Sequence, residues 1–275
     1  GIDMMITHEG GKGDFSYSVS GQLTYTRASW IHFEEEAYDT EAEKRVYQRS
    51  GNWINRSVGY VSDGLFMSQQ EIENHPIDQD QNGNQTLIPG DIKYVDINGD
   101  NVITWEDQQE IGYNTGSPEL NYGFNFMGKY KNFSLSLLLQ GGSMFAGNVS
   151  GLARLPFNNA STPFTLHWEN RFHPEKNPGG TLPIATAGVR QNNNRFSDFW
   201  LKNISYLRIE NVRFSYNIPQ FIPGIEFMQV YFAANNLYDF SNLGIYAGSF
   251  DPEAGLSHNN YPPNRTLTLG LSLNF

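Results

Sequence analysis

The chain has 275 residues, 18 Lys plus Arg against 29 Asp plus Glu for a formal charge of -11, and no cysteine. The missing thiols exclude a disulfide scaffold, a Cys-ligated zinc module and a thiol enzyme, and the acidic balance argues against nucleic acid, whose binding needs clustered Lys and Arg. Aromatic residues at 14%, 27 glycines and only 17% charged residues suit strands and turns rather than helical bundles or disorder.

The opening Gly1-Ile2-Asp3-Met4-Met5 has no basic or apolar leader region, so the expectation is a removed signal peptide or a start inside a longer protein. Phe15, Tyr17, Val19, Gly21, Leu23 and Tyr25 then alternate with Ser16, Ser18, Ser20, Gln22 and Thr24, the period of a strand with one apolar face. A helix is expected over residues 34–49, its many charges forming a solvated face. Tyr122, Phe124, Phe126 and Tyr130 alternate with Gly123, Asn125 and Lys129, and Phe133, Leu135, Leu137 and Leu139 with Ser134, Ser136 and Gln140. Lys131-Asn132 between them reads as a tight hairpin turn. Further strands are expected over 206–218 and 227–238. The last runs over 266–275, where Leu267, Leu269, Leu271, Leu273 and Phe275 share a face.

The longest apolar runs, such as Leu137 to Leu139, fall far short of the roughly 20 residues of a spanning helix. Connections are of two kinds, short turns such as 219–224 and long Asn-, Gly- and Pro-rich stretches at 74–92, 146–197 and 241–263. That asymmetry is the one outer-membrane barrels show. Tyr25, Trp30, Tyr130, Trp200, Tyr216 and Phe275 stand at strand ends, as the aromatic girdles of such barrels require. A soluble antiparallel sheet with one buried face gives the same alternation, so the pattern leaves both readings open.

Several motifs occur in order along the chain. They are Gly13-Asp14-Phe15-Ser16-Tyr17, then Gly59-Tyr60-Val61-Ser62-Asp63-Gly64-Leu65-Phe66, then Pro89-Gly90-Asp91-Ile92-Lys93-Tyr94-Val95-Asp96-Ile97-Asn98-Gly99-Asp100. Tyr122-Gly123-Phe124-Asn125 follows, then Trp200-Leu201-Lys202-Asn203-Ile204-Ser205-Tyr206-Leu207-Arg208-Ile209 with Asn211-Val212, Ala234-Asn235-Asn236-Leu237 and a terminal Phe275. Together they resemble the C-terminal part of a SusC/RagA-family TonB-dependent transporter, the outer-membrane nutrient importers of Bacteroidetes.

The resemblance implies an all-β fold in which residues 1–275 supply antiparallel transmembrane strands, about 7 to 9 of a plugged 22-stranded barrel, with long extracellular loops. Plug and signal peptide are absent from this stretch. It further implies the cell outer membrane as location. The implied partners are the remainder of the same barrel and its plug, a SusD-like surface lipoprotein acting as lid, the TonB complex through an N-terminal region, the lipid bilayer, and a glycan or peptide substrate. The terminal strand resembles the signal read by the barrel-assembly machinery. An open fragment exposes an apolar face and two strand edges, so by itself it is not expected to transport.

The sharpest local motif lies within 91–110, expected to be an extracellular insertion. Read as a twelve-residue calcium loop, it places Asp96, Asn98 and Asp100 at positions 1, 3 and 5, the Val102 carbonyl at 7, Thr104 at 9 and Asp107 at 12. Asn101 stands where glycine is usual, and a hydrogen-bonded turn without an ion is the alternative. His167 and His173 are six apart and share no helical face for a metal, so satisfied loop side chains are expected there. The carboxylates Glu34 to Glu36, Glu71, Glu73, Asp251 and Glu253 have no spacing that singles out an acid and its partner, so no enzyme is expected. Trp53, Trp105, Trp168 and Tyr246 are candidates for stacking on sugar rings, with loop packing as the alternative. Two other functional readings remain open: a secreted calcium-binding, carbohydrate-binding β-sandwich, and a self-contained small outer-membrane barrel with adhesive loops.

Overall fold

A computed structural model describes residues 1–157, 161–219, 224–257, 259–261 and 263–274. In chain order the elements are β1 (Ile2–Lys12), β2 (Phe15–Tyr25), α1 (Glu41–Tyr47), β3 (Ser57–Tyr60), β4 (Ser62–Leu65), α2 (Gln69–Glu73), β5 (Ile92–Tyr94), β6 (Gln108–Gly112) and β7 (Leu120–Tyr130). They continue with β8 (Phe133–Asn148), α3 (Thr165–Asn170), β9 (Leu201–Ile218), β10 (Phe227–Ser241) and β11 (Thr266–Asn274). Seven strands form one antiparallel sheet in the order β1-β2-β7-β8-β9-β10-β11. The pairs β3–β6 and β4–β5 are small and separate.

The registers fix which residues share a face. The row through Phe15 continues to Tyr130, Phe133, Tyr216, Val230 and Leu271. The row through Val19 runs from His8 across Phe126, Leu137, Val212 and Ala234 to Leu267. These rows make one apolar face, interrupted by His8, which stacks on Tyr17. The opposite face carries Ser16, Ser18 and Ser20 of β2, Lys129 and Asn125 of β7, Ser134 and Ser136 of β8, and Arg213 and Ser215 of β9. Among the described residues nothing covers the apolar face: Ile6 is 64% exposed, Leu269 84% and Phe214 46%. Water alone does not stabilise such a surface, which loses about 25 cal/mol for every Å² left unburied.

The hydrophobic core lies beyond one end of the sheet, among the long connections. Leu65, Ile92, Tyr94 and Ile103 from the first loop region meet Phe145, Val149, Phe172, Trp200, Ile204, Phe250 and Leu256. Long-range polar bonds tie these loops into one layer, as where Asp198 Oδ1 accepts the Ser62 N–H at 2.7 Å. At the other end Gly13-Asp14 and Lys131-Asn132 connect neighbouring strands directly. Lys131 takes φ 52° to turn within two residues. The predicted turn at 219–224 falls largely outside the described residues, as does Phe275.

Some expectations change. The helix foreseen over 34–49 is confined to Glu41–Tyr47, where Thr40 and Glu43 form a reciprocal capping box. Upstream, the Glu35 carboxylate is spent on the backbone N–H groups of Arg49 and Ser50 at 2.9 and 2.7 Å, which folds the chain back instead of extending the helix. Hydrogen bonds from Tyr38, Arg49 and Ser50 hold its pKa at about 2. Trp200 is fully buried in the loop core with its indole N–H donating to the Asn193 carbonyl, so it is no girdle residue. Tyr25, Tyr130 and Tyr216 do lie at or near strand ends. β1, paired along its whole length with β2, is a strand beyond those expected. Among the described residues the main sheet has no second sheet packed across it, unlike a sandwich, and no pairing joins β1 to β11, unlike a small closed barrel. No helix is long and apolar enough to cross a membrane.

Candidate functional site

The functional surfaces are the polar face of the sheet and the loop layer above it. The polar face holds a hollow of about 580 Å³ lined by Ser16, Ser18, Lys129, Ser136, Arg213 and Gln229. Higher on the same face, Arg208 of β9 is 3% exposed. Its guanidinium donates to Asp239 at 2.5 Å, to Glu253 at 2.8 Å and to Asp251, three acceptors in fork geometry. Asp251 also accepts the N–H groups of Glu253 and Ala254, so one arginine fastens the 244–257 loop to the sheet.

The 96–107 loop folds on its own oxygens. Asp96 accepts the N–H groups of Gly99 and Asn101 at 2.7 and 2.8 Å, and Asp100 accepts that of Val102 at 2.8 Å. Asn98 Nδ2 bridges Asp100 and Glu106 at 3.0 Å each. Asp107 is fully buried and takes the N–H groups of Ile97 and Thr104, while Thr104 caps the short turn that begins at Trp105. Asn101 adopts φ 64°, the conformation its position asks for. Asp96, Asn98 and Asp100 thus present neighbouring oxygens, each with a lone pair to spare, whereas Asp107 is committed first to the backbone. Among the described residues no set of three His, Cys, Asp or Glu converges on one point.

Beside this loop runs a second one, not among the expected sites. Asp78, Asp80, Asn82 and Gly83 repeat its alternation, which was the available signal. Main-chain bonds from Asp78 N–H to Asn101 O and from Ile103 N–H to Asp78 O lock the two loops side by side. Burial alone would raise the Asp80 pKa, but bonds from Thr86, Asn82 and Asn84 hold it at about 2. A depressed folded-state value means stability present above the unfolded value near 3.8 and lost as pH falls through about 2. Asp80→Ala is therefore expected to destabilise the loop by about 1–2 kcal/mol at neutral pH, after discounting for solvent screening, and by almost nothing near pH 2. Denaturant midpoints of both proteins at the two pH values check this.

The aromatic candidates differ in what their rings offer. Trp53 is half-buried, with Arg27 over its face at 3.9 Å and its N–H donated to Glu110 at 2.8 Å. Trp105 is 37% exposed and tilts against Tyr47 of α1. Trp168 is 45% exposed on α3, with Arg171 stacked 3.3 Å above its ring. Tyr246 differs from its expected exposure, because it packs beside Phe250 in the loop core and burial pushes its pKa up to about 12. Trp53 also lines a groove of about 710 Å³ with Trp30, Tyr47, Arg49, Arg56 and Asn114. His173 accepts the N–H groups of Glu175 and Lys176, as expected of a loop histidine. His167 is 1% exposed; its Nδ1 faces the Ala153 carbonyl at 3.1 Å, and its Nε2 has no hydrogen-bond partner within bonding distance among the described residues.

Known proteins give this geometry its context. No protein-family model matches the chain. TonB-dependent receptor P3 of Formosa agariphila is 27% identical over 248 residues, covering 82% of this chain and 23% of that protein. TonB-dependent receptor SusC of Bacteroides thetaiotaomicron is 26% identical over 286 aligned residues, 95% of this chain and 25% of that one. The chain thus spans about a quarter of the length of these relatives. Among solved structures, the RagAB peptide importer in its open-open state superposes with a TM-score of 0.66 at 18% identity, covering 99% of this chain and 28% of that chain. Over most of its length the chain is similar in sequence to TonB-dependent receptors, SusC among them, and its fold matches that of a RagAB importer chain.

Proposed function

We propose that this chain forms part of the wall and extracellular loops of an outer-membrane TonB-dependent importer for glycans or peptides. The observation that carries the reading is the two-faced sheet. Its apolar face is exposed across seven strands in sequential order, which suits lipid, and its polar face suits a lumen. The remaining strands of a plugged 22-stranded barrel would pair with the edges β1 and β11, and the plug would lie against the polar face. A SusD-like lipoprotein would close over the loop layer, including the 91–110 insertion, and the TonB complex would supply energy through a region elsewhere in the protein. The groove beside Trp53, which joins aromatic rings to Arg49 and Asn114, supports a glycan or peptide ligand. The test is fractionation of cells making the full-length protein: it should stay with outer membranes through a high-pH carbonate wash and need detergent for release. Recovery in the soluble fraction would overturn the reading. Trp fluorescence quenching by a maltooligosaccharide compared with an oligopeptide then separates the two substrate classes.

Calcium is proposed as a structural ion of the 96–107 loop, held by Asp96, Asn98, Asp100 and the Val102 carbonyl with Thr104 and Asp107 closing the turn. What supports it is the alternate spacing of Asp96, Asn98 and Asp100, whose oxygens keep lone pairs after their bonds within the loop, and no Lys or Arg pairs with Asp96, Asp100 or Glu106 among the described residues. Terbium, a luminescent calcium substitute, should emit on excitation of Trp105, lose that emission to added calcium, and show none in Asp96→Ala. A loop held by its own hydrogen bonds alone gives no emission in either protein.

A further inference from the structure

The 151–157 turn, α3 and the 183–193 segment meet around a cavity of about 70 Å³ in the loop layer. Two residues of its wall carry buried polar atoms with no hydrogen-bond partner among the described residues, Arg154 Nε and His167 Nε2. The Arg154 guanidinium donates Nη2 to the Arg195 carbonyl at 2.9 Å and lies 5.3 Å from the Trp200 ring. No carboxylate pairs with it among the described residues. Arg190 on the same wall is already neutralised by buried Asp91, with 2.6 Å between Nε and Oδ1. Half-buried and flanked by an indole, Arg154 is thus an uncompensated cation in a chain of net charge -11. Buried charges of this kind are paired, as a rule. Water could satisfy the hydrogen bonds but would leave the charge unanswered.

His167 defines the other side of the chemistry. Its Nδ1 faces the Ala153 carbonyl and therefore carries the proton, which leaves Nε2 as a lone pair in the neutral ring. We propose that this cavity binds the carboxylate of a small ligand, with Arg154 holding one oxygen and the His167 imidazole the other. One proton is taken up at Nε2 on binding, and Nδ1 keeps its bond to Ala153. The groups that face the ring pull in both directions. Burial and Arg171 disfavour the second proton, while the carbonyls of Ala153 and Pro183 favour it; Arg154 and the Arg190–Asp91 pair complete the charged surroundings. The volume suits a carboxyl head rather than a whole sugar or peptide, so the acid belongs to a small free anion or to the end of a larger molecule. The site rests on the cavity alone, so its failure would leave the importer reading untouched.

Calorimetric titration of the full-length protein in detergent tests it at fixed ionic strength. Acetate should bind saturably and its uncharged analogue acetamide at least tenfold more weakly, with acetate affinity falling as pH rises above 6 by up to about tenfold per unit, the slope of one coupled proton. Arg154→Gln should abolish binding and Arg154→Lys should retain part of it. Ala-Ala against Ala-Ala amide, and glucuronate against glucose, identify which molecule carries the acid: stronger binding of either acid supports the site and names its source. Equal heats for acetate and acetamide, or no heat beyond that of chloride, would show a cavity holding water only and overturn the proposal. That comparison uses the unmodified protein, so a variant that misfolds leaves no ambiguity.

Discussion

Val19→Arg is expected to cost about 2–4 kcal/mol and to block stable insertion, while Ser20→Arg, one residue along the same strand, is nearly neutral. The two positions differ only in face. Val19 stands in the row of Phe126, Leu137, Val212 and Leu267, three residues or more from either end of β2 and thus near mid-bilayer in the proposed setting. A guanidinium there has no partner and no water. Ser20 shares its row with Thr7, Asn125, Leu138, Asn211 and Asn235, polar but for the one leucine, where a long cation can reach solvent or the lumen. Denaturant titration of the refolded full-length protein in lipid vesicles measures the difference. Similar costs at both positions would mean that the apolar face meets protein rather than lipid.

Arg208→Ala is expected to destabilise the attachment of the 244–257 loop by about 2–4 kcal/mol, because it leaves the buried Asp251 carboxylate without its cation, while Asp239 and Glu253, about a third exposed, are partly rehydrated. Here the remainder is Asp239, Asp251 and Glu253 converging without a cation. Lysine should recover little, since a single ammonium cannot divide itself among three carboxylates as a planar fork does. Hydrogen exchange should show protection lost across 244–257 and kept in β1, β2 and β7. Protection unchanged in the loop would mean that its apolar contacts through Phe250 and Leu256 suffice to hold it.

The strands were legible because alternation is a local signal. The bounds of β2 coincide with the expected 15–25, and the Lys131-Asn132 turn follows from two alternating runs meeting at it. β1 was not recognised because Met5, His8 and Gly10 blur its alternation, and its pairing with β2 is what makes it a strand. The 34–49 helix failed for a related reason: a run of charges carries no apolar stripe, and the helix begins only where Thr40 can cap it. The loop layer was the least legible part. Its core joins residues more than a hundred positions apart, so the burial of Trp200 and Tyr246 and the isolation of His167 Nε2 depend on partners that no window of sequence contains. The 78–86 loop was readable in principle, from Asp78, Asp80, Asn82 and Gly83, and gained weight only once seen bonded to its neighbour.

The measurement that bears most directly on a lipid-facing sheet is a cysteine scan of β2, in a protein cleared of any cysteine outside these 275 residues, which have none. Single cysteines from Phe15 to Tyr25 in the full-length protein, reconstituted in vesicles, would be labelled with a fluorophore and challenged with nitroxide-bearing lipids and with a water-soluble quencher. The account predicts a period of two, with positions 17, 19, 21 and 23 quenched by the lipid nitroxide and 16, 18, 20 and 22 reached from water. Quenching from water at both sets, or no alternation at all, would contradict a membrane-spanning sheet and with it the proposed place of this chain in an importer wall.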